Sequence, residues 1–430
     1  MRRSVFGGTL GKYLLLLVFL SLLVALFVFK NNYGAIGQVD RLDLDSTKDY
    51  IAYIREADGK SELYIIRADG SGRRRLTADG KGKRAPSWSP DGRELCYAAE
   101  VSEDRTPAYQ VFILGNGEPR QATYGSTSKD KPQYSPDGKW IAYLSGGCIK
   151  IVQPNGKNGR QVFPPPTRAS APGDENDDQS ANKNDATEGL RKPPIRQFSW
   201  SPNSHGVAGV QEIEGEYAVP LGSPNWWQKD HTPQAVQTVN DPELAVVLPS
   251  IEGRTTMEML SGDLVSCCWM PDSRAVVIAV RKERDGLSGI VRQGVEVKGM
   301  DPEPLIVAKR DTGLVFDHPT VSPDGTQVAF LVLKSVGLDR RTLGMAVAPI
   351  NPDAPLTLTK AGDLARLKLI VKGDARAPQW SADGQRLLYL LPGPTGKSDV
   401  WVCRADGSGA LNLTRGDGDC TGAAWSTALR

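Results

Sequence analysis

The segment WSPDGRELCYAAE, residues 88–100, contains the pattern that decides the fold. Pro presets the backbone for a tight turn, Asp bonds back to nearby backbone, and Gly takes a position where a side chain would clash. An apolar stretch follows, so the segment predicts a turn that leads into a β-strand. The first five residues recur with changes along the chain, as YSPDG at Tyr134, WSPNS at Trp200, WMPDS at Trp269, VSPDG at Val321, WSADG at Trp380 and a truncated WS at Trp425.

A second repeated pattern completes the structural unit. The stretches ELYIIRADGSGRRRLT, residues 62–77, and DVWVCRADGSGALNLT, residues 399–414, each predict two strands around an Asp-Gly turn. One unit is therefore four antiparallel strands that end in Leu-Thr. Such a unit cannot bury both of its faces alone, so radial packing of successive sheets predicts an all-β fold, a β-propeller. The chain from residue 47 onward predicts seven blades of about 55 residues each, with six blades as the alternative.

The two ends of the chain are predicted to share one blade. The last cluster, at Trp425, stops before its strand, and a stretch of matching kind, YIAYIRE, lies at residues 50–56. We therefore expect residues 421–426 to pair with the strands in residues 49–77, which closes the ring without an open edge. The Trp, Tyr or Val that begins each cluster is expected to pack between blades rather than to bind a ligand.

An uncharged apolar run, YLLLLVFLSLLVALFVF, occupies residues 13–29. As a helix it is about 26 Å long, near the length that crosses a bilayer. More positive charge precedes the run than follows it, which places the N-terminus in the cytoplasm. The predicted organisation is a cytoplasmic N-terminus (1–12), a transmembrane signal-anchor (13–30), a linker (31–46) and the propeller (47–430). A cleaved secretory signal, processed near Ala35 and Gly37, is the alternative.

Composition and motifs argue against several classes of function. The first thirty residues hold four of the 52 basic residues and no acid, so the rest carries 48 basic against 50 acidic residues, the wrong sign for binding nucleic acid. The sequence has no GxSxG, HExxH or phosphate-binding Gly loop. We therefore expect no enzymatic activity and no cofactor or metal. The enzymatic alternative is a lyase-type or hydrolase-type propeller, the former with a metal held by the three histidines, His205, His231 and His318.

Long insertions place the candidate binding residues on one rim of the propeller. Residues 164–195 are too polar to fold alone and predict a disordered insertion. Residues 214–242 predict a loop between the second and third strands of a blade, on the rim opposite the short turns. This loop contains the candidate binding residues Trp226, Trp227, Asp230 and His231. The paired indoles could stack on a sugar or on an apolar side chain of a partner, or could fasten the insertion to the propeller.

Two further groups of residues allow more than one interpretation. A disulfide between Cys403 and Cys420 would fasten the closing blade in an oxidising compartment, but Cys403 could equally be plain core. Asp417 and Asp419 in the segment GDGDC could be offered to Ca²⁺. That segment lacks the spacing of a known calcium loop, so a tight turn between blades is favoured.

The SPDG turn followed by Ile-Ala-Tyr, together with ADGSG and Leu-Thr, resembles the TolB-type propeller, a relative of WD-repeat proteins. The resemblance covers nearly all of residues 47–430. It implies a bacterial envelope protein with a protein-binding propeller. The sequence differs from that family in lacking its N-terminal domain, in having an extra unit and in beginning with an anchor. The expected partner is an envelope protein or a cell-wall glycan, met on the periplasmic or extracellular side of the bacterial cytoplasmic membrane.

Overall fold

The computed structural model describes Leu42, Leu44 and residues 49–101, 107–163, 195–213, 216–222, 246–248, 256–258, 264–282, 287–295, 302–336 and 339–426. The predicted anchor at 13–30 and nearly all of the predicted insertion at 164–195 lie outside these ranges. Ile195, the last residue of the predicted insertion, is instead the first residue of a strand. Within the described ranges, no helix combines the length and the apolar character needed to span a membrane.

The described strands form seven sheets, each ordered below from its first strand outward. Sheet 1 consists of β30 (Asp419–Trp425), β1 (Tyr50–Ala57), β2 (Lys60–Arg67) and β3 (Arg74–Arg75). Sheet 2 consists of β4 (Lys83–Trp88), β5 (Leu95–Val101), β6 (Ala108–Leu114) and β7 (Arg120–Gln121). Sheet 3 consists of β8 (Lys129–Tyr134), β9 (Ile141–Ser145), β10 (Cys148–Val152) and β11 (Arg160–Phe163).

The other four sheets continue the series. Sheet 4 consists of β12 (Ile195–Trp200), β13 (Val207–Ile213), β14 (Glu216–Gly222), β15 (Val246–Leu248) and β16 (Thr256–Glu258). Sheet 5 consists of β17 (Leu264–Trp269), β18 (Ala275–Lys282), β19 (Leu287–Gly294), β20 (Glu303–Lys309) and β24 (Leu356–Leu358). Sheet 6 consists of β21 (Leu314–Val321), β22 (Gln327–Val336), β23 (Asp339–Pro349) and β25 (Leu369–Lys372), and sheet 7 of β26 (Arg376–Trp380), β27 (Arg386–Pro392), β28 (Ser398–Arg404) and β29 (Leu411–Asn412). Short 3-10 helices occupy Arg310–Thr312 and Ala361–Arg366.

Each sheet packs against the next, and sheet 7 packs against sheet 1. The first strand of each sheet takes part in these contacts, whereas among the fourth strands that the structure describes β20 contacts the neighbouring sheet, through β21. The first strands therefore surround a central channel, and the fold is a β-propeller. Apolar side chains fill the spaces between sheets, with one buried cluster between each of six neighbouring pairs in the described part of the chain.

Sheet 1 closes the ring with strands from both ends of the chain, as the sequence predicted. Strand β30 pairs antiparallel with β1, with Trp425 opposite Ile51 and Ala423 opposite Tyr53. Two hydrogen bonds complete the closure: Ser426 N donates to the Tyr50 carbonyl oxygen at 2.8 Å, and Tyr50 N donates to the Ser426 side-chain Oγ at 3.0 Å. The ladder continues outward through β2, where Tyr53 lies opposite Tyr64.

The Trp residues that begin the repeated cluster lie between sheets, which confirms their predicted role. Trp88 donates through Nε1 to the Ala424 carbonyl oxygen at 3.1 Å, and Trp380 makes the same bond to Thr320 at 2.9 Å. In both cases the acceptor lies on the first strand of the preceding sheet. The bond repeats at two more boundaries, from Trp200 to Gln133 and from Trp269 to Ser199. Each indole thus buries its apolar body and satisfies its N–H across a boundary.

The turns after the first strands are held by a repeated hydrogen-bond network. Ser89 Oγ donates to Asp91 Oδ1 at 2.6 Å and accepts from Glu94 N at 2.9 Å, and Gly92 adopts a positive φ of 68° that a side chain would strain. The same Ser to Asp or Asn bond recurs at residues 135, 201, 322 and 381. We call the rim that carries these turns the turn rim, and the opposite rim, where the first strands begin, the loop rim.

The repeated Leu-Thr has a structural role at the end of the unit. Thr77 Oγ1 accepts from Leu63 N at 2.9 Å and donates to Glu62 at 2.6 Å. The same arrangement joins Thr414 to Val400 N at 3.0 Å and to Asp399 at 2.7 Å. The hydroxyl therefore links the start of the third strand to the end of the fourth. A buried carboxylate completes the link.

The structure corrects the predicted loop at residues 214–242. That segment contains β14, which pairs antiparallel with β13 and is the third strand of sheet 4. Strand β14 runs from the loop rim to the turn rim, so Trp226, Trp227, Asp230 and His231 follow the third strand and not the second. These four residues lie outside the described ranges. The part of the predicted loop that the structure describes, residues 216–222, is therefore a strand.

Sheet 5 receives an additional edge strand from the chain of sheet 6, which the repeat does not predict. Strand β24 comes from the chain between the third and fourth strands of sheet 6, yet it pairs parallel with β20 at the outer edge of sheet 5. Leu358 in β24 is fully buried in the cluster between these sheets. The addition covers the edge of sheet 5. Sheet 4 also has five strands, in which β15 pairs parallel with β14 as the fourth and β16 pairs antiparallel with β15 as the fifth.

Candidate functional site

The first strands carry a repeated distortion three residues before the residue that begins the cluster. Ala85, Lys131, His318 and Ala377 each have φ close to +50°, each precedes a proline, and the pairing with the second strand shifts register there. Positive φ is uncommon for residues other than Gly and costs about 1–3 kcal/mol. Four occurrences at one repeat position show that the bulge belongs to the architecture. It places these residues at the wall of the central channel.

On β21 the bulge holds an aspartate–histidine pair. His318 Nδ1 lies 3.1 Å from Asp317 Oδ1, and the His318 backbone N donates to the same oxygen at 2.7 Å. Ser266, from the first strand of sheet 5, donates its hydroxyl to Asp317 Oδ1 at 2.6 Å and accepts from His318 N at 2.8 Å. Asp317 is thus held by the neighbouring sheet, and it fixes the imidazole. We call Ser266, Asp317 and His318 the channel site.

The charges of this pair shift both pKa values. Burial alone would raise the pKa of Asp317, but the hydrogen bond and charge of His318, with the bond from Ser266, outweigh it, so the pKa of Asp317 is lowered. Burial alone would lower the pKa of His318, but Asp317 outweighs it and the pKa of His318 is raised above 6.5. The positive charge of Lys131 acts on His318 in the opposite direction.

Lys131 occupies the same bulge position on β8 of sheet 3. Its Nζ donates to the Arg196 carbonyl oxygen of sheet 4 at 2.9 Å, and the side chain is exposed. This bond joins the first strands of sheets 3 and 4.

The bulge position and the residue before it supply four basic residues against two acidic ones among the described residues, with His318 counted as neutral. These are Arg84, Lys131, Arg196 and Arg376 against Asp130 and Asp317. Two of the basic side chains are already engaged, because Arg84 stacks on Tyr109 and Arg376 pairs with Asp374.

The geometry suits binding better than bond cleavage. With Nδ1 held by Asp317, a neutral His318 offers Nε2 as an acceptor, and a protonated His318 offers it as a donor. The Ser266 hydroxyl donates to a carboxylate and not to an imidazole, so it is not activated as a nucleophile.

The loop rim of sheets 2 and 3 presents an exposed aromatic side chain. Among the described residues, the large side chain of Tyr124 is exposed, with 67% of its surface open to solvent. Its segment is fixed from below, because buried Gln110 donates to the Gly125 carbonyl oxygen at 2.6 Å and buried Lys129 donates to that of Thr127 at 2.8 Å. The aromatic ring is thus displayed by a rigid segment.

An arginine stacked on a second tyrosine lies at the start of the same rim. The Arg84 guanidinium lies 4.0 Å from the centre of the Tyr109 ring. The Tyr109 backbone N donates to Ser128 Oγ at 3.2 Å, which ties this strand to the segment that carries Tyr124. We call Arg84, Tyr109 and Tyr124 the rim patch.

The remaining sequence candidates fall elsewhere. Asp417 forms ion pairs with Arg55 and Arg73, and Asp419 accepts from Ser398 N at 2.8 Å, so the GDGDC segment is a turn between strands, as favoured. The structure does not form the predicted disulfide, since Cys403 and Cys420 are both buried free thiols. Cys403 packs between sheets 6 and 7 and Cys420 between sheets 7 and 1, which explains why they do not meet.

The histidines do not converge in the described part of the chain. His205 lies in a turn at the turn rim, where its backbone N donates to Asn203, whereas His318 lies in the channel wall. His231 is outside the described ranges. No group of three or more potential metal ligands occurs within the parts of the chain that the structure describes.

Sequence reasoning considered His318 only as a metal ligand and did not identify Lys131, Ser266 or Asp317. A signal for this position does exist. A proline stands two residues before the first residue of the cluster at Pro86, Pro132, Pro319 and Pro378. The repeated proline marks the bulge, and the residue before it is the one that reaches the channel.

No family model matches this chain. The chain is 35% identical over 91 residues to the uncharacterized protein Atu1656 of Agrobacterium fabrum, a match that covers 20% of this chain and 29% of that protein. It is 30% identical over 93 residues to dipeptidyl-peptidase 5 of Porphyromonas endodontalis, covering 21% of this chain and 13% of the peptidase. The matched stretch thus spans less than a third of either relative.

Similar solved structures include TolB from Acinetobacter baumannii, with 15% identity and a TM-score of 0.44 over 88% of this chain and 66% of that one. The periplasmic gluconolactonase of Pseudomonas aeruginosa has 11% identity and a TM-score of 0.49, over 88% and 99% of the two chains. The oligogalacturonate lyase of Vibrio parahaemolyticus has 10% identity and a TM-score of 0.48, over 85% and 84%.

Proposed function

We propose that this protein is a seven-bladed β-propeller that acts as a non-catalytic binding scaffold in the bacterial cell envelope. Residues 13–30 hold it in the cytoplasmic membrane as a single-pass signal-anchor, and the propeller lies on the periplasmic or extracellular side. The partner is another envelope protein, which binds at the loop rim. The seven sheets and the closure between β1 and β30 support the blade number.

The observation that carries this proposal is the exposed ring of Tyr124 on a fixed segment. Tyrosine and arginine are enriched among the residues that dominate protein interfaces, and the rim patch holds both. Because Gln110 and Lys129 already order the segment, binding there costs little conformational entropy. The rim patch thus has both the composition and the rigidity of an interface.

The test is capture of membrane proteins by the full-length chain in detergent, compared between variants. Tyr124→Ala is expected to reduce recovery of the specific partner about thirtyfold, the loss typical of a central interface residue. Tyr124→Phe, which keeps the ring, should retain most of the recovery. Lys139→Ala is the matched control, since Lys139 is 75% exposed on the turn rim. Equal recovery with Tyr124→Ala and Lys139→Ala would contradict the proposal.

The candidate residues at 226–231 can be tested in the same assay. Deletion of residues 223–245 removes Trp226, Trp227, Asp230 and His231 while keeping β14 and β15. Partner recovery that survives the deletion but not Tyr124→Ala places the contact on the rim patch alone. Cell-wall fragments that displace the captured protein would instead favour a glycan as the ligand.

Fractionation tests the anchor. We expect the protein to stay with the membrane at its full length after salt and alkaline washing. A shortened protein in the soluble periplasm would show that the N-terminal run is a cleaved secretory signal.

A further inference from the structure

Two residues of the predicted linker at 31–46 pack into the propeller. Leu42 is 3% exposed and belongs to the buried cluster between sheets 1 and 2. Leu44 is half-buried and packs against the same cluster. We call Leu42 and Leu44 the leucine pair. The linker thus meets the propeller at Leu42, several residues before the propeller was predicted to begin.

The sequence around the leucine pair makes these two side chains decisive for docking. Every other residue from 40 to 49 is charged or polar, so the pair supplies all the large apolar surface of this stretch. Residues two apart lie on the same side of an extended chain, as expected for two leucines that pack against one cluster. A stretch of this composition has little other apolar surface with which to hold itself against the propeller.

The chain after the leucine pair is fixed separately, on the other side of sheet 1. The Asp49 carboxylate pairs with Arg386 of sheet 7, and the Asp49 carbonyl oxygen accepts from Ala68 N at 3.1 Å. Arg386 also lies over the Trp425 ring, with its guanidinium carbon 5.2 Å from the ring centre. Because Asp49 and β1 are held by these contacts, release of the leucine pair would leave the closing sheet in place.

We propose that the leucine pair docks the linker on the propeller, so that residues 31–41 alone connect the propeller to the apolar run and the bond after Arg41 is shielded from proteases. Fully extended, residues 31–41 span at most about 40 Å, and a connection that reached residue 48 would span at most about 65 Å. The length of this connection matters only with the proposed membrane anchor, whereas the docking does not depend on that anchor.

The shielding follows from how proteases bind their substrates. Cleavage needs a stretch of several residues that leaves the folded surface and extends into the active site, which is why exposed and locally unfolded segments are the ones cut. For the bond after Arg41 that stretch includes Leu42 and Leu44. The rate of cleavage therefore reports how often the leucine pair leaves the cluster between sheets 1 and 2.

Limited digestion of the full-length chain in detergent with trypsin, which cuts after Arg and Lys, tests the proposal. Mass spectrometry measures the rate of cleavage after Arg41, and a synthetic peptide of residues 36–48 gives the rate for an undocked segment. We expect the protein to be cut much more slowly than the peptide. Leu42→Ala should raise the rate about thirtyfold or more, because it removes most of a buried leucine side chain. Leu44→Ala should raise it less, because Leu44 is only half-buried.

Two variants separate docking from general damage to the fold. Leu413→Ala is the matched control, because Leu413 is 4% exposed and lies in the cluster between sheets 7 and 1. It should leave cleavage after Arg41 close to the wild-type rate. Leu42→Met, which refills the site with a side chain of similar volume, should also stay close to that rate. If Leu42→Ala fails to fold, cuts throughout the propeller will show it, and Leu44→Ala and Leu42→Met then decide.

Other results overturn the proposal. If the wild-type protein is cut after Arg41 as fast as the peptide, the linker is not docked. If Leu42→Ala and Leu44→Ala are cut no faster than the wild type, or if Leu413→Ala is cut as fast as Leu42→Ala, the leucine pair does not control access. Failure of the proposed anchor is a separate result, because a protein processed near Ala35 and Gly37 still carries the leucine pair and gives the same digestion.

Discussion

Replacing Trp88 by Phe tests how the ring is held together. Trp88 is 5% exposed, and its Nε1 donates to the carbonyl oxygen of Ala424 on the closing strand. Phe keeps most of the apolar body and removes this donor. The substitution therefore weakens the boundary between sheets 1 and 2, where the two ends of the chain meet, without introducing a new polar group.

The expected loss follows from two contributions. A buried carbonyl left without its donor costs about 1–3 kcal/mol. The smaller ring leaves out about two buried carbons, which adds about 1–2 kcal/mol. Trp88→Phe should thus lower the free energy of unfolding by about 2–5 kcal/mol. Trp380→Phe should cost a similar amount, because Trp380 makes the same bond to Thr320 at another boundary.

Urea unfolding followed by far-UV circular dichroism measures these losses. Trp401→Phe is the matched control, since Trp401 is only partly buried and stacks on Tyr389 with ring centres 6.5 Å apart, within its own sheet. Its substitution should cost clearly less. Equal losses of unfolding free energy for Trp88→Phe and Trp401→Phe would refute the reasoning that the hydrogen bond from Trp88 to Ala424 contributes to stability.

Three further predictions concern other parts of the propeller. Thr414→Val removes a hydroxyl that joins Val400 N to a buried carboxylate, so urea unfolding should show a loss of about 2–4 kcal/mol. Leu358→Ala empties a fully buried site where β24 covers sheet 5, and the same measurement should show a loss of about 2–5 kcal/mol. For His318 the folded-state pKa is raised above 6.5, so its pairing with Asp317 contributes stability below that pH and loses it as pH rises through the raised value. The difference in unfolding free energy between the wild type and His318→Asn should therefore shrink from about pH 5 to about pH 8, and a difference that grows over that range would contradict the sign.

The parts of the fold that sequence predicts are those carried by local chemistry. The turn after Trp88 needs Pro, Asp and Gly at fixed positions, and the stretch at residues 50–56 matches the strand missing after Trp425, so both the unit and its closure could be predicted. Strand β24 could not, because its parallel pairing with β20 depends on a neighbouring sheet and leaves no periodic signal. Strand β14 was missed because Glu216–Gly222 begins an otherwise polar segment.

The candidate site was hidden for a different reason. Asp317 and His318 are adjacent in sequence, but their arrangement depends on Ser266 from another sheet, whose hydroxyl donates to Asp317 and accepts from the His318 backbone N. No spacing within one repeat encodes that meeting. The repeated proline after the bulge could have marked the position, but not which side chains would face one another.

The repeat itself limits where function can reside in this molecule. At the turn rim the Ser and Asp side chains form the hydrogen bonds that hold the turns. Between sheets, the Trp indoles form the hydrogen bonds that join one sheet to the next. The bulge position differs, because one backbone geometry there carries Ala85, Lys131, His318 and Ala377 in turn. Its side chain is not needed to make the bulge, so the position accepts any chemistry that the channel requires. Lys131 and His318 are therefore polar side chains at a repeat position whose backbone geometry does not require them.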